Sequence, residues 1–452
     1  MAPPGRSRPG GPPTMPPDAR TLEMIRPDEP DHAFATSAPW ARESYSHWVR
    51  RVIRAVRSER NLLVGLFDSS VPEPVDQLRR IIADGFGDTI TSRYTSAFTN
   101  GNPYVVAELA RAYGVPAQRI VCTTGATGAL SLIYRAMLAP GERVLVESPG
   151  FDLFHTIAET YGYGVDRFAR HGDDFAIDVA GLEATITPAT RLIVLSNLHN
   201  PSGMALAPST LSAIGALAEA RGIHVIVDEV YGDYVDPASR PPPASRMGPA
   251  LISISSLTKS HGLSTLRCGW IVGAQEPIAR IRGLAEEIDF GVSNLSHAVA
   301  ALVLEHPDIF EDYRAGVMRR ARPIMESYHA HWREHGLVTG ALPPFGCIAF
   351  PRLVGIDDTV RFSEWLADRC GVVVAPGEYF GAAGHIRIGF ARAPADVDYG
   401  LQALTDGLIR YRDRHDRGIG YDDTARAMGM GQAGRRSRRL GAAAAHADDQ
   451  GA

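Results

Sequence analysis

An α/β fold, with a largely parallel sheet covered by helices on both faces and a second, smaller α+β domain, is predicted by two patterns in the sequence. The first is an alternation, between about Arg119 and Ser255, of short β-branched runs with amphipathic stretches. RIVCTT is followed by ALSLIYRAML, RVLVES by FDLFHTIAETYG, and RLIVLSN by STLSAIGALAEARG, after which come HVIVDE and LISISS. Strands and helices alternating at this spacing form crossover units and hence a mainly parallel sheet. RCGWIVG adds one more strand. The second pattern begins at Gln275, where the chain reads as mostly helical to about Glu334, with one break near Asp289 to Asn294. Then come CIAF, a helix over about Thr359 to Arg369, GVVVA, HIRIGF and a closing helix to about Arg412. Helices mixed with short strands after a parallel block predict the smaller domain.

The expected domain layout is therefore a large domain over residues 76–300 and a smaller one over 301–412, with 21–75 as its N-terminal part. The first twenty residues are rich in Pro, Gly and Arg, and residues 413–452 are rich in Gly, Ala, Arg and Asp. Both ends are expected to be disordered, because such compositions bury too little apolar surface to offset chain entropy.

The 452 residues are 45% hydrophobic and 21% charged, ordinary values for a globular enzyme, with a formal net charge of −5. Neither nucleic acid nor an anionic membrane is an expected partner for such a charge, so small-molecule chemistry is favoured. No apolar run resembles a signal peptide or a spanning helix, and a cytoplasmic location is expected. Cys122, Cys268, Cys347 and Cys370 lie far apart without a CxxC pair and read as reduced core thiols. Lys and Arg together number 46, and only one of them, Lys259, is a lysine. A guanidinium stays protonated and does not readily condense with an aldehyde, whereas a lysine amine can form an imine, so Lys259 is a candidate for chemistry that arginine cannot perform.

Three further segments carry candidate chemistry. TTGATGAL (123–130) follows a strand and opens a helix, where backbone amides brought close by Gly125 and joined by the Thr127 hydroxyl suit an anion such as a phosphate; taken alone, such turns are common. NLHNPSG (197–203) and VDEVY (227–231) end two strands, and ligands of open parallel sheets gather at the strands' carboxyl ends, so Asn200, Asp228 and Tyr231 should converge. After the apolar HVIV, the Asp228 carboxylate needs a cation, such as a protonated pyridine nitrogen, unless it caps the turn instead. SISSLTKSHGLSTLRCGW (253–270) places Ser256, Lys259 and Arg267 in one loop, suited to hold a phosphate and an aldehyde together.

In order and spacing these motifs resemble the fold-type I pyridoxal-phosphate enzymes, specifically the class I/II aminotransferases, over about residues 60–410. The resemblance implies an aspartate aminotransferase-like fold with a seven-stranded type of sheet, pyridoxal 5'-phosphate as cofactor, and a homodimer. It implies that Lys259 carries the cofactor as a Schiff base and acts as general acid/base, that Asp228 pairs with the pyridine nitrogen, and that Asn200 and Tyr231 bond the ring hydroxyl. Gly125, Ala126, Thr127, Ser256 and Arg267 would hold the phosphate, Phe151 in SPGF would stack on the ring, and Tyr94 would reach the phosphate of the neighbouring subunit. Arg387 in GHIRIGF, together with PGEYFG (376–381) before it, resembles the site for the substrate carboxylate, which a guanidinium fork binds bidentately, and Asn200 is implied to serve the substrate as well. The implied reaction moves an amino group between an L-amino acid and a 2-oxo acid, with the freed Lys259 amine removing the Cα proton.

Phe151 stands where Tyr or Trp is more usual, Thr265 where glycine is common, and DSSVPEP (68–74) departs from the usual substrate loop. The substrate pocket is expected to involve loops around Ser69, Phe98 and Phe380. A lyase, decarboxylase or cyclase acting on a modified amino acid shares the same motifs. A cofactor-binding DNA regulator lacks helix-turn-helix signals, and RRSRR (435–439) reads as a solvated tail. HWREH (331–335) matches a zinc peptidase pentad without an evident third ligand, and GMGQAG (429–434) matches a dinucleotide fingerprint with no strand before it.

Overall fold

The computed structural model describes residues 44–57, 63–87, 89–95, 101–288 and 291–416. The expected disordered N-terminal segment, RRSRR, GMGQAG and Phe98 lie outside the described residues. Of the expected tail, 413–416 continues the last helix.

In chain order, α1 (Tyr45–Arg57), β1 (Val64–Gly65), α2 (Val75–Phe86) and α3 (Pro103–Tyr113) lead into the alternating region. There follow β2 (Ile120–Thr123), α4 (Ala126–Met137), β3 (Arg143–Ser148), α5 (Leu153–Thr160), β4 (Gly164–His171), β5 (Ala176–Ile177) and α6 (Val179–Thr185). Next come β6 (Thr190–Ser196), α7 (Pro208–Arg221), β7 (His224–Asp228), β8 (Leu251–Ser256) and β9 (Gly269–Val272). These eight strands form one sheet in the order β2, β9, β8, β7, β6, β3, β4, β5. The run from β8 to β4 is parallel. β9 is antiparallel to both of its neighbours, and β5 is antiparallel to β4. Every strand and helix expected between Arg119 and Val272 is present.

Three elements and one strand direction were not predicted. β4 escaped because GVDRFARH has no continuous apolar run: near the sheet edge it alternates buried and exposed only toward its end, while β5 and α6 are only two and seven residues long. The direction of β9 follows from its connection, since residues 257–268 contain no crossover helix to carry the chain back for a parallel neighbour.

The middle strands are buried on both faces, which explains their near-continuous apolar reading. Val144, Val146, Leu192, Val194, Ile226, Ile252 and Ile254 pack toward α4, while Leu145, Ile193, Leu195, Val225 and Val227 pack toward α7. This period of two also assigns the polar residues at the strand ends. Ser196, Asp228 and Ser256 continue the α4-facing set at the carboxyl edge, where α4 begins.

Beyond the sheet run α8 (Gln275–Ile288), α9 (Asn294–Glu305) and α10 (Pro307–Glu334), then β10 (Val338–Thr339), β11 (Ile348–Ala349), β12 (Arg352–Leu353) and α11 (Thr359–Cys370). The chain continues through β13 (Val372–Val373), β14 (Ala375–Pro376), β15 (Ile386–Gly389) and α12 (Pro394–Asp416). A break between α9 and α10 joins the expected one, at His306 and Pro307; proline is well placed at a helix start because it lacks the amide that the first turn leaves unpaired. β15 is central to an antiparallel trio with β11 and β14, and β1 pairs in parallel with β13. Leu66, Trp332, Phe362, Trp365, Phe390, Leu401 and Leu404 form the core beneath these strands. No helix among the described residues is long and apolar enough to cross a membrane.

Trp332 is fully buried in that core, and its indole N–H donates to Thr405 Oγ1 at 2.7 Å. Trp332→Ala opens a cavity, leaving the Thr405 hydroxyl only its bond to Leu401 O, and should cost about 3–5 kcal/mol. Chemical unfolding checks this: a variant with the wild-type midpoint would show that the helical layer does not rest on this ring.

Candidate active site

The site is built at the carboxyl edge of the sheet, on the α4 side. α4 starts at Ala126 with no side-chain cap, so its first amides are free for an anion. Gly125 precedes it with φ +85°, and a Cβ there would lie 2.8 Å from Arg267 Nη2. A Cβ on Gly269 would lie 2.4 Å from the Gly125 carbonyl carbon. The two glycines therefore let β9 touch the loop and let the Arg267 guanidinium lie over the helix start. Arg267 has a left-handed backbone, φ +48°, uncommon for a side chain of this size, and donates to Thr124 O at 3.0 Å. Thr127 and Arg267 are exposed, Ala126 is half-buried, and Ser256 is buried at the adjacent strand end. This is an open, positively charged cup.

Behind the cup lies Asp228, buried, with one carboxylate oxygen accepting from Val230 N at 3.1 Å. Burial pushes its pKa up to about 7; Val230 draws it down, Glu147 adds to the rise, and Lys259 opposes it. Lys259 Nζ donates to Ser69 Oγ at 3.0 Å. Burial lowers the lysine pKa; Asp68, Cys347 and Asp228 act against the fall, and Arg387 reinforces it. Lys259 and Asp228 thus share one electrostatic space. The Tyr231 hydroxyl beside them is fully buried, with Ser69 close by, yet has no well-formed hydrogen bond.

Arg387 is only 1% exposed, and among the described residues no carboxylate lies within ion-pair distance of it. It donates to Asn200 Oδ1 at 2.8 Å, to Phe67 O at 3.1 Å and to the Tyr45 hydroxyl, while its Nε has no partner. Its flat faces meet the Tyr45 and Phe380 rings at 5.1 and 4.7 Å, a cation–π arrangement that suits a desolvated guanidinium.

Asn200 is positioned by a chain of buried polar contacts. Its amide donates to Ser196 Oγ at 2.9 Å, and Ser196 donates to Glu147 Oε1 through its hydroxyl, at 2.6 Å, and its amide, at 2.9 Å. Arg170 completes the chain, bonding Glu147 Oε2 at 2.7 Å and Ser196 O at 2.9 Å. Glu147, Arg170, Ser196 and Tyr45 were missed from sequence. RVLVES offered a strand-end acid as a signal for Glu147, whereas Arg170 sits in the unrecognised β4 and Tyr45 in a helix far from any motif.

Two expected residues make no bond to Lys259, Asp228 or Arg387. Phe151 is half-buried and edge-on to Phe154 at 5.7 Å and Tyr45 at 6.2 Å. Tyr94 is 47% exposed and makes no hydrogen bond or ring contact to the other site residues among those described. Of the loops expected around the pocket, Ser69 meets Lys259 and Phe380 covers Arg387. His331, in the last turn of α10, and His335, just beyond it, have tilted rings with centroids 4.1 Å apart, but no group of three metal-ligating side chains occurs among the described residues.

Fold and site together define a pyridoxal-phosphate-dependent enzyme of aspartate aminotransferase-like architecture. The sequence matches the family described as aminotransferase class I and II over residues 76–404, and the chain belongs to that family. It is 30% identical to capreomycidine synthase of Streptomyces vinaceus over 317 residues, 70% of this chain and 80% of that protein. It is 32% identical to an arginine–pyruvate transaminase of Pseudomonas aeruginosa over 287 residues, 61% of this chain and 71% of that protein. The structure of Thermus thermophilus aspartate aminotransferase with maleate matches with a TM-score of 0.71 at 19% identity, covering 87% of this chain and 100% of that one, a likeness of fold.

The family's cofactor is pyridoxal 5'-phosphate, and the residues present fit it. Gly125 leaves the cup that a Cβ would fill, Asp228 is a buried acid with no ion pair among the described residues, and the Tyr231 hydroxyl is a buried polar group without a well-formed bond among them.

The raised pKa of Asp228 has a consequence for the cofactor-free protein. Its unfolded value is about 3.9, so the fold favours the protonated form; the resulting stability is present at low pH and lost as pH rises through about 7. Cofactor-free protein should lose urea resistance between about pH 4 and 7, and Asp228→Asn should lose less. An equal loss in the variant would mean that Asp228 does not carry the effect.

Proposed function

We propose that this chain is an aminotransferase that moves an amino group between an L-amino acid and a 2-oxo acid through Lys259, working as a homodimer. The observation that carries the reading is the pairing of a desolvated lysine amine with a buried guanidinium, Arg387, that has no carboxylate partner among the described residues. A substrate α-carboxylate would satisfy Arg387 in a two-pronged bond, with Asn200 beside it fixing the orientation. Lys259 would join the cofactor covalently, and its Nζ, freed by the incoming substrate, would take the Cα proton and return it. Burial favours the neutral amine that this step needs, and the Ser69 hydroxyl holds it in place.

When bound, pyridoxal 5'-phosphate supplies an electron-poor ring that draws electron density from Cα. In this reading Asp228 keeps the ring nitrogen protonated, Asn200 and Tyr231 bond the ring hydroxyl, and Phe151 lies on the ring face. Gly125, Ala126, Thr127, Ser256 and Arg267 hold the phosphate. The exposed Tyr94 would act on the site of a second subunit.

The likeness to capreomycidine synthase, a relative not named as a transaminase, supports a second reading in which the same residues serve a lyase, decarboxylase or cyclase reaction on a modified amino acid. Pyruvate and ammonia released without an acceptor acid would favour elimination. Amino-group transfer to an added 2-oxo acid would favour transamination.

Lys259→Ala should abolish both the visible absorbance of lysine-bound cofactor and turnover; a variant that keeps either one contradicts the assigned role. Sedimentation of the purified protein should give twice the chain mass, and a monomer that turns over would remove Tyr94 from the site.

A further inference from the structure

Three of the charges gathered at the sheet edge have evident partners once the proposed reading is adopted. Arg267 faces the phosphate, Asp228 the ring nitrogen, and Arg387 the substrate α-carboxylate. Two carboxylates, Asp68 and Asp152, are then left over. Resting on that reading, we infer that the amino acid taken by this site carries a cation at the end of its side chain, an amine or a guanidinium, and that Asp68 and Asp152 receive it.

Asp68 is placed by its two neighbours. Phe67 O accepts from Arg387 at 3.1 Å and Ser69 Oγ accepts from Lys259 at 3.0 Å, so the residue between them spans the gap from the carboxylate-binding group to the reacting amine. Its backbone is pressed onto β15, where a Cβ on Gly389 would fall 1.5 Å from Asp68 O. The side chain is exposed; Oδ1 accepts only a hydroxyl, from Ser70 at 2.9 Å, and among the described residues no Lys, Arg or His forms an ion pair with it.

Asp152 follows Phe151 and is only 4% exposed, yet neither of its oxygens has a hydrogen bond of ordinary geometry. Burial raises its pKa to about 6, and the nearby amides of Ser46, Leu153 and Tyr45, with the charge of Arg387, draw it back. A buried acid in this state is costly unless a cation joins it.

Each acid follows a residue that touches the Tyr45–Arg387 pair: Phe67 O accepts from Arg387, and the Phe151 ring lies 6.2 Å from that of Tyr45. Burial raises the pKa of the Tyr45 hydroxyl, Arg387 opposes that, and both Asp68 and Asp152 push it further up. That hydroxyl is itself bonded to Arg387. Tyr45 also packs against Phe151 and Phe380, aromatic surfaces on which an aliphatic stem or a planar guanidinium can lie. An acidic side chain entering here would meet two like charges, so the arrangement discriminates by repulsion as well as by attraction.

The test is a titration of the full chain, loaded with pyridoxal 5'-phosphate, followed by calorimetry and by the visible spectrum. L-Arginine is compared with L-citrulline, its neutral near-isostere, and L-ornithine with L-norvaline. The cationic member of each pair should bind at least about tenfold more tightly, the value of a charge-assisted bond, and added salt should narrow the gap. Asp68→Asn and Asp152→Asn should each narrow it too. Equal binding of arginine and citrulline, or a gap that neither variant changes, overturns the inference while leaving the proposed function standing, provided that some amino acid alters the spectrum. If none does, the proposed function fails and the inference with it. Should one variant not fold, the other variant and the salt dependence of the wild type decide.

Discussion

The buried ion pair between Glu147 and Arg170 is the interaction on which the rest of the site depends. Both side chains are almost wholly removed from solvent, and their closest atoms lie 2.6 Å apart. Such a pair gains little over apolar residues of the same size, but losing one partner leaves an uncompensated charge costing about 3–5 kcal/mol. Its role here is geometric. Glu147 holds the hydroxyl and amide of Ser196, Ser196 holds the amide of Asn200, and Asn200 accepts from Arg387. One continuous polar chain thus links the sheet interior to the guanidinium proposed for the substrate.

A second constraint is the close approach of backbones. Gly125 and Gly269 allow β9 to meet the start of α4, and Gly389 allows the segment after β1 to lie on β15. At each of these points a side chain would occupy space already filled by backbone or by Arg267, so glycine's absent Cβ is a packing requirement. The β15 contact matters most for chemistry, because it sets Phe67 and Ser69 against Arg387 and Lys259 together. Residues from both ends of the chain thereby meet those of the sheet.

The electrostatics of the site follow from burial. Desolvation raises the Asp228 pKa and lowers that of Lys259, each away from its charged form. A ligand that brings a cation to Asp228 and an anion to Arg387 gives each buried charge a partner, which is why these residues read as a prepared site and not as a self-sufficient ion cluster.

By itself the sequence determined the alternating architecture and the helix start after Gly125, and it singled out Lys259, Asp228, Asn200, Tyr231, Arg267 and Arg387 as candidates. These are short-range signals: a period of two or 3.6, a glycine at a turn, one lysine among arginines, and motifs in a fixed order. Only the tertiary structure decided that β9 runs antiparallel, that GVDRFARH is a strand, and that Tyr45, Phe67, Glu147 and Arg170 lie with the candidate residues. The bond between Arg387 and Tyr45 joins residues 342 positions apart. A contact of that range leaves no trace in local periodicity, because it comes from the packing of finished elements against one another.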